Sequence, residues 1–148
     1  MLGRLTALRE RWAGTLTVGV RAAVLSEDKQ VFLVKHGYAY GWHFPGGGVE
    51  RGETFVSALG RELEEEGNIA LTGAPTLHGL YFYPRYSDRD HVALFVVRAF
   101  HADAPPRPNR EIVDCRFFPL DGLPDETTEA TRARLAEILS GQPAAERW

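Results

Sequence analysis

Residues 61–68 read RELEEEGN, and four of the eight are glutamates. Just upstream, Val56, Leu59 and Leu63 recur at spacings of three and four, the period of a helix with one apolar face. Thr54 is a suitable N-cap, and Gly67 and Asn68 both tolerate the left-handed conformation that ends a helix. The spacing therefore predicts a helix over about 54–66. On it, Glu62, Glu65 and Glu66 fall on a face next to the apolar stripe, while Glu64 points elsewhere, into solvent. Like charges at about 4 Å cost roughly 1 kcal/mol in water and about 4 kcal/mol at an effective dielectric of 20, so three carboxylates in a cleft need a counter-ion. A hard divalent cation with oxygen ligands, Mg²⁺ or Mn²⁺, is the natural one. An acidic face that is merely solvated reads the same way from the helix alone.

The segment feeding this helix narrows the choice. It runs 42-WHFPGGGVERGE-53, with Gly46, Gly47 and Gly48 directly after Pro45. Consecutive glycines let backbone approach a ligand closely and aim carbonyls or amides at it. A flexible loop is the plain alternative, but it does not account for the loop abutting an acidic helix.

Working outward, 15–25 and 30–36 are rich in apolar and β-branched residues and read as two strands joined by the turn SEDK, a hairpin. Residues 37–53 read as one long glycine-rich loop. Further strands are expected at 76–84, 91–100 and 113–120, and an amphipathic helix at 126–140 with Leu135, Ile138 and Leu139 near one face. Residues 3–12 are weakly helical. Strands interrupted by one helix and closed by another predict an α/β domain, a mixed sheet covered on both faces in an α/β/α sandwich. The length of 148 residues suits one domain spanning 1–148.

Composition excludes several classes. A net charge of −3 with no basic stripe, and no DNA-binding motif, argues against a dedicated nucleic-acid-binding domain. No run approaches the ~20 apolar residues of a membrane span, and the N-terminus lacks the apolar core of a signal peptide, so a cytoplasmic location is expected. Cys115 is the single cysteine. In the apolar stretch VDCRFF it reads as a packed thiol, not as a nucleophile.

Gly47, five residues, Glu53, seven residues, then Arg61-Glu62-Leu63-Glu64-Glu65-Glu66 resembles the signature box of Nudix hydrolases, with Leu63 and Ile69 at the aliphatic places. Asn68 stands where the box has its last glycine, and Gly67 lies one place early. Asparagine is the next best residue at positive φ, so the helix stop is expected to survive. The resemblance implies the Nudix fold and metal-dependent attack of water on a nucleoside diphosphate linked to another moiety X. It implies Glu62, Glu65 and Glu66 as metal ligands, the Gly46 carbonyl as a backbone ligand for Mg²⁺ or Mn²⁺, and structural roles for Gly47, Glu53 and Arg61. The general base is either a box glutamate or a later acid. Glu111 is the best later candidate, with Asp88, Asp90 and Asp103 as rivals. A Nudix-fold domain that binds nucleotides without turnover is the alternative, and the box, with all three glutamates and Arg61 present, favours an enzyme. Many relatives pair as dimers, which leaves a homodimer open.

Clues to X are thin. Tyr38, Tyr40 and Trp42 flank the glycines, and Tyr81, Tyr83 and Tyr86 lie beyond the box; any could stack on a base or fill the core. Arg21, Lys35, Arg85 and Arg89 are candidate phosphate contacts, and His43 is the histidine nearest the loop in sequence. Pro84, fifteen residues after Ile69, resembles the ADP-ribose pyrophosphatase subgroup, whereas Tyr86 resembles the dinucleoside polyphosphate hydrolases. The substrate class thus spans ADP-ribose or nucleotide sugars, nucleoside triphosphates and dinucleoside polyphosphates.

Overall fold

The structure, a computed structural model, describes residues 16–148. The weak helix expected at 3–12 and the first residue of the strand expected at 15–25 lie outside the described residues.

In chain order the elements are β1 (Thr17–Val24), β2 (Gln30–His36), β3 (Trp42–His43), β4 (Gly46–Gly48), α1 (Phe55–Gly67), β5 (Ile69–Leu71), β6 (Thr76–Phe82), β7 (Asp90–Val97), β8 (Phe100–Ala102), β9 (Ile112–Pro119) and α2 (Glu129–Ser140). The main sheet runs β4-β1-β7-β6, a second runs β3-β2-β9, and β5 pairs with β8. β1 and β7 are parallel and the other pairings antiparallel, so the sheet is mixed. The class is α/β with two described helices.

The expected hairpin of β1 and β2 does not form. The turn itself closes, with Ser26 N–H donating to the Gln30 carbonyl at 3.0 Å and a single bridge between Leu25 and Val31. Beyond it the strands separate: β1 lies between β4 and β7, and β2 between β3 and β9. Both strands are apolar on both faces, and a strand buried on both faces needs ladder partners along both edges.

Alternation within β1 and β7 sorts the core into two layers. Val20, Ala22, Val24, Ala93, Phe95 and Val97 pack with Ala58, Leu59 and Leu63 of α1. Ala23, Leu25, Val92 and Leu94 pack with Leu135 of α2 on the other face. Two side chains depart from the expected helical stripes. Val56 is 43% exposed and Leu139 is 51% exposed, because the buried arc of α1 centres on Leu59 and that of α2 on Leu135.

The long loop expected at 37–53 is shorter than it reads. Its glycines form β4, which pairs antiparallel with β1 in the register Gly19↔Gly48, Val20↔Gly47 and Arg21↔Gly46. Gly46 has φ +147°, and a Cβ there would sit 2.0 Å from the Val20 carbonyl oxygen. Only glycine permits this approach, and it seats the loop against β1.

Candidate active site

α1 is capped at both ends by its own sequence. The Thr54 hydroxyl accepts from Ser57 N–H at 3.0 Å, and the Ser57 hydroxyl accepts from Thr54 N–H at 2.8 Å, a reciprocal capping box. At the other end Asn68 takes φ 51° and ψ 41°, and its N–H reaches the carbonyls of Glu64 and Leu63. The asparagine also donates from Nδ2 to the Ala104 carbonyl at 2.8 Å, a contact glycine could not make. A helix ended this sharply carries its acidic last turn up to β4.

Glu66 lies two turns after Leu59 and so falls within the buried arc of α1. It is 4% exposed, and its Oε2 accepts from Gly46 N–H at 2.9 Å. Burial pushes its carboxyl up to about 8, against the pull of Arg21 and the Gly46 N–H, while the charges of Glu62 and Glu111 push the same way as burial. Glu62 is also raised by burial, with Arg61 opposing. Its carboxyl lies flat against Gly47, where a Cβ would come 2.3 Å from Oε1. Glu65, by contrast, has a side chain 60% exposed.

Two arginines hold these acceptors. Arg61 makes a two-pronged pair with Glu53, Nε to Oε1 at 2.6 Å and Nη2 to Oε2 at 3.0 Å, and Nη2 also donates to the Gly48 carbonyl at 3.1 Å. Its Nη1 reaches Glu62 at 2.8 Å and Glu65 at 3.6 Å, so these two carboxylates share one guanidinium. The Glu53 carboxyl is held down at about 2 by Arg61 and by the Glu50 N–H. Arg21 donates from Nη1 to the Gly46 carbonyl at 2.7 Å, which the β1–β4 register makes its neighbour.

Among the described residues no group of three or more His, Cys, Asp or Glu side chains is drawn together closely enough to share an ion. The donor chemistry nevertheless suits a hard divalent cation. Glu62, Glu65, Glu66 and the Gly46 carbonyl offer oxygen alone. The oxygens of Glu62, Glu65 and Gly46 already attract positive charge, supplied here by Arg61 and Arg21, and a cation beside Glu66 would offset the cost of burying its charge.

Glu111 precedes β9. Its N–H donates to Asn109 Oδ1 at 2.8 Å, and its carbonyl accepts from Gly37 N–H at 3.0 Å. Its charge acts on Glu66, so it lies within electrostatic reach of that buried carboxyl. The rival acids lie in other settings. Asp90 is engaged by the hydroxyl of Thr17 and by the N–H groups of Tyr86 and Ser87, and so braces the 84–89 loop. Asp103 pairs with His101 at 2.9 Å. Cys115 is buried, which pushes its thiol up and leaves it unreactive.

The candidate substrate contacts divide. Trp42 is 7% exposed and meets the edge of Phe118 at 4.7 Å between ring centroids, a core position. Tyr83, like the fully buried Tyr81, packs on Trp148. Tyr40 is 77% exposed, and its carbonyl accepts from His43 Nε2 at 2.8 Å. Arg85 lies over the rings of Tyr38 and Tyr86 at 5.8 and 5.1 Å. Sequence reading passed over His36, which is buried with its ring 5.6 Å from His43 and 5.0 Å from Tyr38. No spacing signals that cluster, since β2, β3 and the loop between them bring it together. No described helix is long and apolar enough to cross a membrane.

Comparison with known proteins places this arrangement. A "Putative 8-oxo-dGTP diphosphatase" of Bacillus subtilis (strain 168) is 39% identical over 77 residues, 51% of this chain and 50% of that protein. An "ADP-ribose pyrophosphatase" of Methanocaldococcus jannaschii is 28% identical over 104 residues, 68% of this chain and 61% of that protein. The chain thus spans about half to three-fifths of the length of these curated relatives. Among solved structures, a MutT NUDIX hydrolase from Burkholderia pseudomallei superposes with a TM-score of 0.68 at 30% identity, covering 82% of this chain and 97% of that one. With its capped acidic helix, its glycine strand and a NUDIX domain match over residues 15–138, the chain belongs to the Nudix hydrolase family.

Proposed function

We propose that the chain is a divalent-metal-dependent pyrophosphohydrolase acting on a nucleoside diphosphate linked to another moiety. The observation that carries this reading is Glu66, a buried carboxyl set against Gly46 N–H with Glu62 alongside Gly47. Burying an acid at that cost is hard to explain as packing, and it is explained by a cation held there with oxygen ligands. Glu62, Glu65, Glu66 and the Gly46 carbonyl would hold Mg²⁺ or Mn²⁺. When bound, such an ion supplies neutralisation of the charge building on the leaving phosphate and a lowered pKa for the attacking water.

The chain's own groups supply the rest. Arg61 and Glu53 keep the glycine strand pressed on α1, so the acceptors stay in place. Arg21, already at the Gly46 carbonyl, is placed to pair with a phosphate oxygen of the substrate. Glu111 is the carboxylate we assign to accept a proton from the attacking water. Phosphoryl chemistry of this kind depends on positioning and electrostatics and needs no nucleophilic side chain. The names of the relatives, which concern 8-oxo-dGTP and ADP-ribose, support nucleotide derivatives as the substrate class.

The test is a panel of 8-oxo-dGTP, ADP-ribose, a nucleotide sugar, a dinucleoside polyphosphate and a 5′-triphosphorylated RNA, incubated with Mg²⁺ and resolved by chromatography. Release of a monophosphate from at least one, abolished by chelation and restored by Mg²⁺, is expected. No product from any of them, with nucleotides still raising the melting temperature, would overturn the enzyme in favour of a binding domain.

A further inference from the structure

Two largely exposed tyrosines are not used by the core, and the charges of Arg21 and Glu111 act on one of them, Tyr38. Tyr38, between β2 and β3, is 56% exposed, and Tyr86, between β6 and β7, is 63% exposed. They come from loops nearly fifty residues apart in sequence, yet the guanidinium of Arg85 lies over both rings, 5.8 and 5.1 Å from their centroids. Among the described residues Arg85 has no carboxylate in an ion pair, so its charge is available to an incoming anion.

The shelf is braced from behind. The His36 ring, 5% exposed, lies 5.0 Å from Tyr38 at an interplanar angle of 30°. The imidazole packs against Tyr38 as a tilted aromatic neighbour. Tyr86 is tied down through its N–H, which donates to the Asp90 carboxylate at 2.7 Å. The Tyr38 ring and the backbone that carries Tyr86 are thus held before a ligand arrives, which lowers the entropy lost on binding. Arg21 and Arg85 both lie within electrostatic reach of His36 and His43, and Arg21 reaches Gly46.

We infer that Tyr38, Arg85 and Tyr86 form the stacking site for the nucleobase of the substrate, with the attached phosphates running toward Arg21 and the glycine strand. This rests on the nucleotide-hydrolase reading above and adds where the base lies. A tyrosine face and a planar guanidinium both stack on a heteroaromatic ring, and every base has a π-face. Stacking by itself does not distinguish one base from another, so broad tolerance of the base is expected.

The experiment measures equilibrium binding of AMP and of ribose 5-phosphate to the full chain by calorimetry. The two probes share a phosphate and differ in the base. AMP should bind at least ten times more tightly. Tyr38→Ala and Tyr86→Ala should each weaken AMP by about tenfold and leave ribose 5-phosphate unchanged. Tyr38→Phe and Tyr86→Phe should restore AMP binding, which separates stacking from misfolding. Arg85→Lys keeps the charge but not the plane and should weaken AMP selectively. Equal binding of the two probes, AMP binding indifferent to both alanine variants, or no AMP binding at millimolar concentration would overturn the inference. Because binding is read without turnover, a chain that binds AMP on this shelf but hydrolyses nothing would sink the enzyme reading and leave the stacking site standing.

Discussion

At Glu66 a carboxylate expected on the face beside the apolar stripe is instead buried with it, and Gly46 answers it with an N–H. Glu65, one residue earlier, faces solvent and touches the site only through Arg61. The difference decides how each residue can be tested. Glu65→Gln should leave the fold within about 0.5 kcal/mol of the parent, since it is an isosteric surface change. It should lower turnover by about 100-fold, the scale of losing one charged group at a developing charge. Normal rates would remove Glu65 from the ligand set. The glycines differ among themselves just as sharply. Gly46→Ala forces a Cβ into the Val20 carbonyl at positive φ, while Gly48 has nothing within 4 Å of its Cβ position. Gly46→Ala should therefore destabilise the chain by about 3 kcal/mol or more in urea unfolding, and Gly48→Ala by less than about 1 kcal/mol. Equal effects would mean that the tight register of β4 on β1 does not hold in solution.

Among the elements, α1 is the one most completely written in its own residues. Thr54, Ser57 and the Asn68 N–H close its ends through contacts no more than five residues apart along the chain. Thr54→Ala removes the acceptor for Ser57 N–H and should cost about 1 kcal/mol, read as a lower urea midpoint with an unchanged slope. Thr54→Ser should recover most of it, and failure of that rescue would assign the loss to packing. The strands behave differently. β1 and β2 are recognisable as strands from composition, but the turn between them suggests a hairpin that the sheets do not build. Besides β4 and β3 their partners are β7 and β9, more than sixty residues away, and a ladder at that distance is chosen by which buried edges must be paired.

For the molecule as a whole, His36 links folding to pH. Burial first, then Arg21, His43 and Arg85, lower its pKa from 6.5 to about 4, with the Glu111 backbone opposing and Tyr38 covering the ring. A histidine depressed in the folded state binds its proton more readily when unfolded. Its contribution is thus fully present above pH 6.5 and is lost as pH falls toward about 4, at most about 3 kcal/mol in all. Stability measured by urea unfolding should fall more between pH 7 and 4.5 in the parent than in His36→Phe. Parallel curves would show that His36 protonates in the folded state without penalty.

The sequence by itself determined what depends on near neighbours: the capped helix, the stop at Asn68, the glutamates on its last turns and the family they announce. Periodicity and capping act within one or two turns, so the chain's local order is enough to state them. Only the tertiary structure decided which carboxylate is buried, that the glycines form a strand on β1 with Arg21 beside Gly46, that Trp42 and Tyr83 belong to the core, and that Tyr38, Tyr86 and His36 meet around Arg85. Those outcomes follow from burial and from hydrogen-bond ladders between distant segments, where the residue opposite is set by the packing of the whole sheet and leaves no periodic mark along the chain.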